Sequence, residues 1–445
     1  MNQRRWATLI AGLLALSLVG AACANDESDS ASPSDTATTS GGEIDCATVE
    51  LGCVEVAAGE PIQLGTLLSI TGDTASLGLD SQAGAELAVD YLDGSFDGKM
   101  GQILGHDIEW QHEDDGCSAE GGQAGATALS TNEQLVAVVG TSCSSSALGV
   151  ADKILGDLGI PLVSPSNTAP TLTDPSAHNP FYLRVAHNDK IQGAIVAEFV
   201  YNELGLTTAA TVQDESPYTA GLAAAFAQNF EALGGTITGQ EQINSGDKDF
   251  KATLNSLAPG NPEAVYAPDF NPACALIAKQ AADILPDATL LGSDGCLATD
   301  FLEIAGDSAA GFWASSPDVT AFQEGQFYAD DFLPAYQEMV GSPPTSVFHL
   351  HAFDSADMIF AAIEEVAMEH DDTSLSIPRM ALKDALFATA GFEGATGILT
   401  CDTNGDCASA VTIGLYEAPN WPVDGGEGDG APSYSATKTL AEVSG

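Results

Sequence analysis

The chain has 445 residues, 44% of them hydrophobic, which is enough apolar material for a folded protein larger than one typical domain. It carries 63 aspartate and glutamate residues against 12 lysines and arginines, a formal net charge of -51. This charge makes nucleic acids and anionic membrane surfaces poor partners. A dispersed acidic surface keeps a protein soluble and favours a salty habitat; calcium binding is the alternative, although no well-formed calcium loop supports it.

The first residues are typical of an export signal. Two arginines precede an apolar stretch too short to cross a bilayer comfortably, and small residues follow, so residues 1–22 are predicted to be a signal peptide. The run LVGAAC ending at Cys23 resembles a bacterial lipobox, with Gly20 where leucine is usual, and predicts lipidation of Cys23. An ordinary secreted protein cleaved nearby is the alternative. Residues 23–60, acidic and rich in serine and threonine, are predicted to be a flexible tether.

From residue 61 onward, short β-branched runs alternate with amphipathic stretches, which predicts βαβ units and parallel sheets. The first series has strands at 62–68, 108–110, 135–139 and 161–164 and helices at 83–92, 121–129 and 147–158. A second series has helices at 191–204, 222–233, 250–257 and 273–284 and strands at 209–213 and 264–267. Two such lobes in tandem place a ligand cleft between the carboxyl ends of their sheets.

The last third of the chain is predicted to complete these two lobes rather than to form a third domain. Its predicted elements are helices near 354–368 and 379–389, then a hairpin with strands 397–400 and 410–416 and an Asn-Gly turn. Asp402, Asn404 and Asp406 also alternate like the start of a calcium loop. The glycine follows too early for such a loop and no late glutamate is present, so the turn is favoured.

The chain has nine cysteines. The eight other than Cys23 fall into four couples, and the two members of each couple lie close together in the sequence. Export favours disulfides, and no Cys-x-x-Cys pair or Cys-His grouping has the spacing of a zinc site. The proposed couples are Cys46 with Cys53, Cys117 with Cys143, Cys274 with Cys296, and Cys401 with Cys407. Eight cysteines admit other connectivities, which the spacing leaves open.

Motifs for catalysis are missing from the sequence. It contains no P-loop, no G-x-S-x-G elbow, no H-E-x-x-H and no glycine fingerprint for a dinucleotide. His349 and His351 form the only close histidine couple, and their place before a predicted helix is more typical of a structural role than of a metal site. We therefore expect no catalytic residue, no metal and no cofactor.

Three stretches resemble the Leu/Ile/Val-binding protein family of ABC-transporter substrate-binding proteins. They are DDGC at 114–117, GTSCSSS at 140–146 and VSPSNTAPTLT at 163–173. The resemblance covers nearly all of residues 61–417 and implies a type I periplasmic binding protein, a Venus flytrap of two doubly wound, Rossmann-like α/β lobes joined by a three-stranded hinge. In the family the first of these cysteines pairs with the one in the serine run, which agrees with the couple Cys117–Cys143.

The resemblance also implies how the chain is divided. Lobe I spans 61–186 and is completed by about 318–388, lobe II spans 187–317 and is completed by about 389–417, and 418–445 is a C-terminal tail. The passages between lobes are expected near 183–189, 315–319 and 387–396.

By the same resemblance, the carboxylate of an amino-acid ligand lies on lobe I, against the hydroxyls of Ser144 and Thr168 and the backbone at Ser166. Ser144 opens a predicted helix, whose unpaired N–H groups and partial positive charge suit an anion. The alternative is that Ser144 and Thr168 only cap turns.

Lobe II is expected to hold the ligand's ammonium group. Asp294, in the run Gly-Ser-Asp-Gly, takes the family's acidic position, and Tyr218 closes over the same group. The family often has glutamate there, so the shorter aspartate requires a closer ammonium or an intervening water. Leu77 and Phe270 match positions that are often aromatic in the family and would select the ligand's side chain, although both can also be core residues.

The resemblance implies an extracytoplasmic lipoprotein that closes its lobes around an amino acid, branched-chain or related, and serves an ABC importer. Its partners would be the small-molecule ligand, the permease and ATPase subunits, and the membrane through the anchor at Cys23. We expect a monomer and no nucleic acid. The alternatives are an amide or urea-type ligand, or a ligand-sensing receptor of the same fold.

Overall fold

The structure is a computed structural model that describes residues 45–318, 327–424 and 426–443. The predicted signal peptide, the lipidation site Cys23 and residues 23–44 of the predicted tether lie outside these ranges. The prediction of a flexible tether is wrong for 45–60, because Cys53–Val56 pairs with Leu375–Pro378 and Val54 and Val56 lie in a hydrophobic core. Within the ranges, every helix is too short or too polar to cross a membrane.

Seventeen strands are found in the described residues. They are β1 Cys53–Val56, β2 Ile62–Leu68, β3 Ile108–Asp114, β4 Leu135–Gly140, β5 Leu162–Ser164, β6 Tyr182–Arg184, β7 Thr208–Gln213, β8 Thr236–Gln242, β9 Ala264–Tyr266, β10 Thr289–Gly292, β11 Trp313–Pro317, β12 Met368–Glu369, β13 Leu375–Pro378, β14 Ala390–Gly394, β15 Gly397–Thr400, β16 Val411–Glu417 and β17 Tyr434–Lys438.

The described α-helices alternate with these strands. They are α1 Ala75–Asp90, α2 Ala119–Leu129, α3 Ser144–Ser146, α4 Asp152–Gly156, α5 Asp189–Glu198, α6 Pro217–Ala232, α7 Lys251–Leu257, α8 Ala273–Ile284, α9 Phe301–Ala305, α10 Leu333–Val340, α11 His349–Val366, α12 Arg379–Phe387 and α13 Leu440–Val443. Three π-helical turns adjoin these helices: Ala147–Ala151, Phe199–Glu203 and Phe327–Phe332.

Lobe I is built on a five-stranded sheet in the order β3-β2-β4-β5-β6, in which all neighbours are parallel. Strand β4 is buried along its whole length, as expected when helices cover both faces of a parallel sheet. Helix α11 packs against α1, where a Cβ atom on Gly84 would lie 1.9 Å from the carbonyl oxygen of His349. Only glycine lets the two backbones approach this closely.

Lobe II is built on a seven-stranded sheet in the order β17-β16-β11-β10-β9-β7-β8. Its central strands are parallel, whereas β16 runs antiparallel to β11 and β17 antiparallel to β16. Two doubly wound α/β lobes are therefore present, as predicted. The described residues of the predicted tail, 418–424 and 426–443, pack on this lobe, because β17 pairs with β16 at the edge of the sheet and Trp421 packs into the core beside it.

The predicted hairpin of 397–400 with 410–416 is wrong. Strand β15 pairs with β14, and β16 joins the sheet of lobe II instead. The loop between them belongs to lobe I, because the guanidinium of the buried Arg184 binds the carboxylate of Asp406 and Cys407 lies in the lobe I core. The chain therefore passes to lobe II after Cys407, later than the predicted passage at 387–396.

All four cysteine couples proposed from the sequence are disulfides in the structure: Cys46–Cys53, Cys117–Cys143, Cys274–Cys296 and Cys401–Cys407. Cys117–Cys143 matters for the site, because it ties the loop after β3 to the loop after β4.

Candidate functional site

A cavity lies between the two lobes, at the carboxyl ends of their parallel strands. It brings together six of the seven residues that the sequence predicted to bind ligand: Leu77, Ser144, Ser166, Tyr218, Phe270 and Asp294. Thr168 is not among the lining residues; it is buried, and its carbonyl oxygen accepts a hydrogen bond from the N–H of Asp189.

The lobe I wall of this cavity, which we call the serine wall, is formed by the loop and helical turn after β4. The turn into it begins at Gly140, whose φ of 152° is rare for residues with a side chain and where a Cβ atom would lie 2.3 Å from the carbonyl oxygen of Leu67. The hydroxyl oxygen of Ser144 accepts a hydrogen bond from the N–H of Ala169 at 3.2 Å. The hydroxyl proton of Ser144 therefore remains available for an acceptor in the cavity.

Asp115 holds the serine wall in place from behind. Its two carboxylate oxygens accept hydrogen bonds from the N–H groups of Cys117, at 2.8 Å, and Ser142, at 2.7 Å. Burial raises the pKa of Asp115 to about 7, although these hydrogen bonds act in the opposite direction. The family resemblance included the DDGC run at 114–117 but did not predict this role for Asp115.

Asp294 occupies the opposite wall, just after β10, and is partly buried. Its Oδ1 accepts hydrogen bonds from the hydroxyl of Tyr218 at 3.1 Å and from the side-chain amide of Gln192 at 2.9 Å. Burial raises the pKa of Asp294 to about 6. An adjacent cation would favour the ionised form, so this wall suits a positively charged group.

Gln192 is a site residue that the sequence did not reveal. Its side-chain NH₂ also donates to the hydroxyl oxygen of Ser315 at 2.9 Å, and its carbonyl oxygen contacts the ring of His187. His187 follows β6 of the lobe I sheet and Ser315 lies in β11 of the lobe II sheet, so Gln192 connects Asp294 to residues next to or within both sheets.

Asp189 adds a second carboxyl group near Asp294. It is fully buried, and burial together with the charge of Asp294 raises the pKa of Asp189 well above its ordinary value. The nearby guanidinium of Arg184 acts in the opposite direction, but the effects of burial and of Asp294 are larger.

The remaining lining includes the polar residues Asp73, Thr74, Ser76, Asn271 and Ser346. Four large apolar side chains complete the surface. Leu77 and Phe348 come from lobe I, and Phe270 and Leu297 from lobe II. Phe348 and Leu297 lie in one hydrophobic cluster, so the lobes touch beside the cavity. The sequence predicted Leu77 and Phe270 at this position but missed Phe348 and Leu297.

In chemical terms, the cavity offers serine hydroxyl donors on the lobe I wall, the carboxylate of Asp294 on the lobe II wall, and apolar side chains beside them. The exposed carboxylate of Asp73 also borders it from lobe I. Nothing in its lining resembles a nucleophile with a base. Among the described residues, the one tight grouping of three potential metal ligands is Cys46, Cys53 and Glu55, and its two sulfur atoms are already bonded to each other.

Residues 61–412 match the family model described as "Periplasmic binding protein". The chain belongs to this family. Its members bind substrates rather than convert them, and membership implies an extracytoplasmic location.

Named relatives agree with this assignment. The chain is 29% identical over 357 residues to the Leu/Ile/Val-binding protein BraC3 of Rhizobium johnstonii, covering 80% of this chain and 91% of the relative. It is 29% identical over 352 residues to the leucine-, isoleucine-, valine-, threonine-, and alanine-binding protein of Pseudomonas aeruginosa, covering 78% and 88%. The crystal structure of a leucine binding protein, LivK, from Thermotoga maritima aligns with a TM-score of 0.71 at 25% identity, covering 86% of this chain and 99% of that one.

Proposed function

We propose that this protein binds an amino acid, of branched-chain type or related, between its two lobes. The observation that carries the proposal is the pairing of opposite chemistries across one cavity, with Ser144 on lobe I and Asp294 on lobe II. A zwitterion matches both walls, because its carboxylate accepts from the serine wall and its ammonium donates to Asp294 and Tyr218. The named relatives bind amino acids, which supports the same ligand class.

Ser166 and Tyr218 would complete these two walls, while Leu77 and Phe270 would contact the ligand's side chain. Thr168 would act from behind the wall rather than on the ligand. Since the ligand needs both walls at once, its binding would favour the closed arrangement of the lobes by hinge movement.

Closure would in turn present the protein to the permease and ATPase subunits of an ABC importer. Lipidation of Cys23 would keep the protein at the outer face of the membrane, close to those subunits. Under this proposal the protein acts as a monomer. The predicted lobe I, 61–186, and lobe II, 187–317, would move toward each other as two rigid bodies when the hinge closes.

The first experiment is a thermal-shift screen of the purified protein against the amino acids and small uncharged amides. A ligand that binds the folded state raises the melting temperature. Stabilisation by leucine, isoleucine, valine or another zwitterionic amino acid supports the proposal. Stabilisation only by amides or other neutral solutes would overturn the ligand class, since neither Ser144 nor Asp294 would then face a charge.

A second experiment tests the ammonium assignment. Asp294→Asn keeps the size of the side chain but removes its charge, and we expect a loss of affinity of about tenfold to a hundredfold for an amino acid. Affinity for an analogue without the ammonium group should change much less. Equal losses for both ligands, measured by calorimetry, would refute the assignment.

A further inference from the structure

A second, larger cavity of about 660 Å³ lies between the lobes and has no part in the function proposed above. It shares Asp73, Thr74, Phe270 and Asn271 with the first cavity, so the two spaces adjoin. Lobe I contributes the residues around Cys117, and lobe II contributes the loops after β7, β8 and β9.

The lining of this second cavity is strongly acidic. Six carboxylates border it, against one basic residue, Lys248, which is exposed. Four of the acids lie at the surface, where an excess of acids is expected from the net charge of -51. Asp214 and Asp269 differ from these four, because only 4% of Asp214 and 2% of Asp269 is exposed.

The carboxylate of Asp269 is incompletely bonded. Its Oδ1 accepts the N–H of Phe270 at 2.8 Å, whereas its buried Oδ2 has no hydrogen-bond partner among the described residues. Asp214 is bonded more fully, because its Oδ1 accepts hydrogen bonds from both the N–H of Ser216, at 2.7 Å, and the hydroxyl of Thr219. Buried polar atoms are normally paired, so the unpaired Oδ2 indicates a missing donor.

Asn271 provides a second unpaired acceptor two residues further on. Its NH₂ group donates to Asp300 at 2.6 Å, which fixes the amide so that Oδ1 is the atom left over. That oxygen is buried and also lacks a partner within the described part of the chain. Asn271 itself lines both cavities.

We propose that the second cavity is a subsite for a positively charged group on the ligand's side chain, held by Asp269 with Asn271 and Asp214. The ligand would then be an amino acid, or a related zwitterion, carrying an additional amine or guanidinium group. This inference rests on the proposed function, because the first cavity must hold the ammonium and carboxylate groups. The aliphatic part of the side chain would pass Phe270, which borders both cavities.

The ionisation of Asp269 agrees with this assignment. Burial and the nearby carboxylate of Asp214 raise the pKa of Asp269 to about 7, so the empty protein disfavours the charged form. A cation in the subsite would offset both effects and supply the missing donor.

The test compares arginine with citrulline, which has nearly the same shape but no charge on its side chain. By calorimetry we expect the wild-type protein to bind arginine at least about tenfold more tightly. Asp269→Asn should abolish this preference. Glu120→Gln removes an exposed carboxylate from the same cavity and should retain it.

Folding of each variant is checked by its melting temperature. If Asp269→Asn does not fold, Asp214→Asn serves as the second variant and should reduce the preference. A wild-type protein that binds neutral amino acids but does not prefer arginine to citrulline would overturn this inference and leave the proposed function standing. Failure to bind any zwitterion would overturn both. Stabilisation by calcium chloride that Asp269→Asn abolishes would identify a metal site and refute the organic cation.

Discussion

At the scale of single residues, Ser144 differs from the other serines of its run. It lines the first cavity, whereas Ser145 lines the second one and its hydroxyl donates to the carbonyl oxygen of Cys117 at 3.0 Å. The two side chains are identical in chemistry, so their positions alone separate their expected effects. This makes Ser145 a matched control for Ser144.

We therefore expect Ser144→Ala to weaken binding of an amino acid by about tenfold, because one hydrogen bond to a charged carboxylate is lost. Ser145→Ala should leave the affinity unchanged. Calorimetric titration of both variants checks the prediction. An equal loss in the two variants would show that the serine run acts only through its fold.

The ionisation of Asp294 gives a prediction on pH. Its pKa in the empty protein is raised to about 6, and an ammonium ligand requires the ionised form. Affinity should therefore be nearly constant above pH 7 and should fall below pH 6, by up to about tenfold for each pH unit. Titrations between pH 5 and 8 test this. Asp73→Asn, which removes an exposed carboxylate from the same cavity, should keep the dependence.

At the scale of elements, the sequence predicted local structure best. Strand β2 and helix α8 have the predicted bounds. A short run rich in leucine and isoleucine, in β2, and an amphipathic period, in α8, leave little choice of local structure. The predicted hairpin was wrong because the pairing of strands depends on residues that are distant in the sequence. The loop at 402–407 does close on itself, but β15 and β16 pair with strands of different lobes.

Prediction of the functional site from the sequence is limited in the same way. Ser144 and Asp294 were found through family motifs, whereas Gln192 has no motif around it and contacts Asp294 from 102 positions away in the chain. Asp269 belongs to a large acidic population, and only its burial and its unpaired oxygen distinguish it. Burial and hydrogen-bond pairing depend on how both lobes pack, so they cannot be predicted from composition or periodicity.

The disulfide Cys117–Cys143 should matter for both stability and binding. Replacing both cysteines with serine frees a loop with a sequence separation of 26, which costs about 3 kcal/mol of unfolding free energy in the chain-entropy model. It also releases the serine wall, so affinity for an amino acid should fall. The double variant at Cys401 and Cys407, which line neither cavity, should retain full affinity. Chemical denaturation and calorimetry provide the two measurements.

At the scale of the whole molecule, buried carboxyl groups make stability depend on pH. Burial raises the pKa values of Asp115, Asp269 and Asp354 to about 7, whereas the unfolded chain titrates them near 3.8. Between these values the folded state binds more protons than the unfolded state, so the free energy of unfolding decreases as pH rises. Repulsion within a chain of net charge -51 acts in the same direction.

We expect the melting temperature of the empty protein to fall by about 5 °C or more between pH 5 and pH 8. Added sodium chloride should reduce the part of this fall that comes from charge repulsion, because salt screens exposed charges more than buried ones. Scanning calorimetry at both pH values and two salt concentrations measures the effect. A melting temperature that rises with pH would refute the assignment of these buried groups.

Under the proposed function, one zwitterionic ligand joins the two lobes through Ser144 and Asp294. A crystal structure of the protein with the amino acid that stabilises it most tests this directly. We expect a ligand carboxylate within hydrogen-bond distance of the Ser144 hydroxyl and a ligand ammonium within the same distance of the Asp294 carboxylate. A ligand that contacts only one lobe, or that lies outside the first cavity, would contradict it.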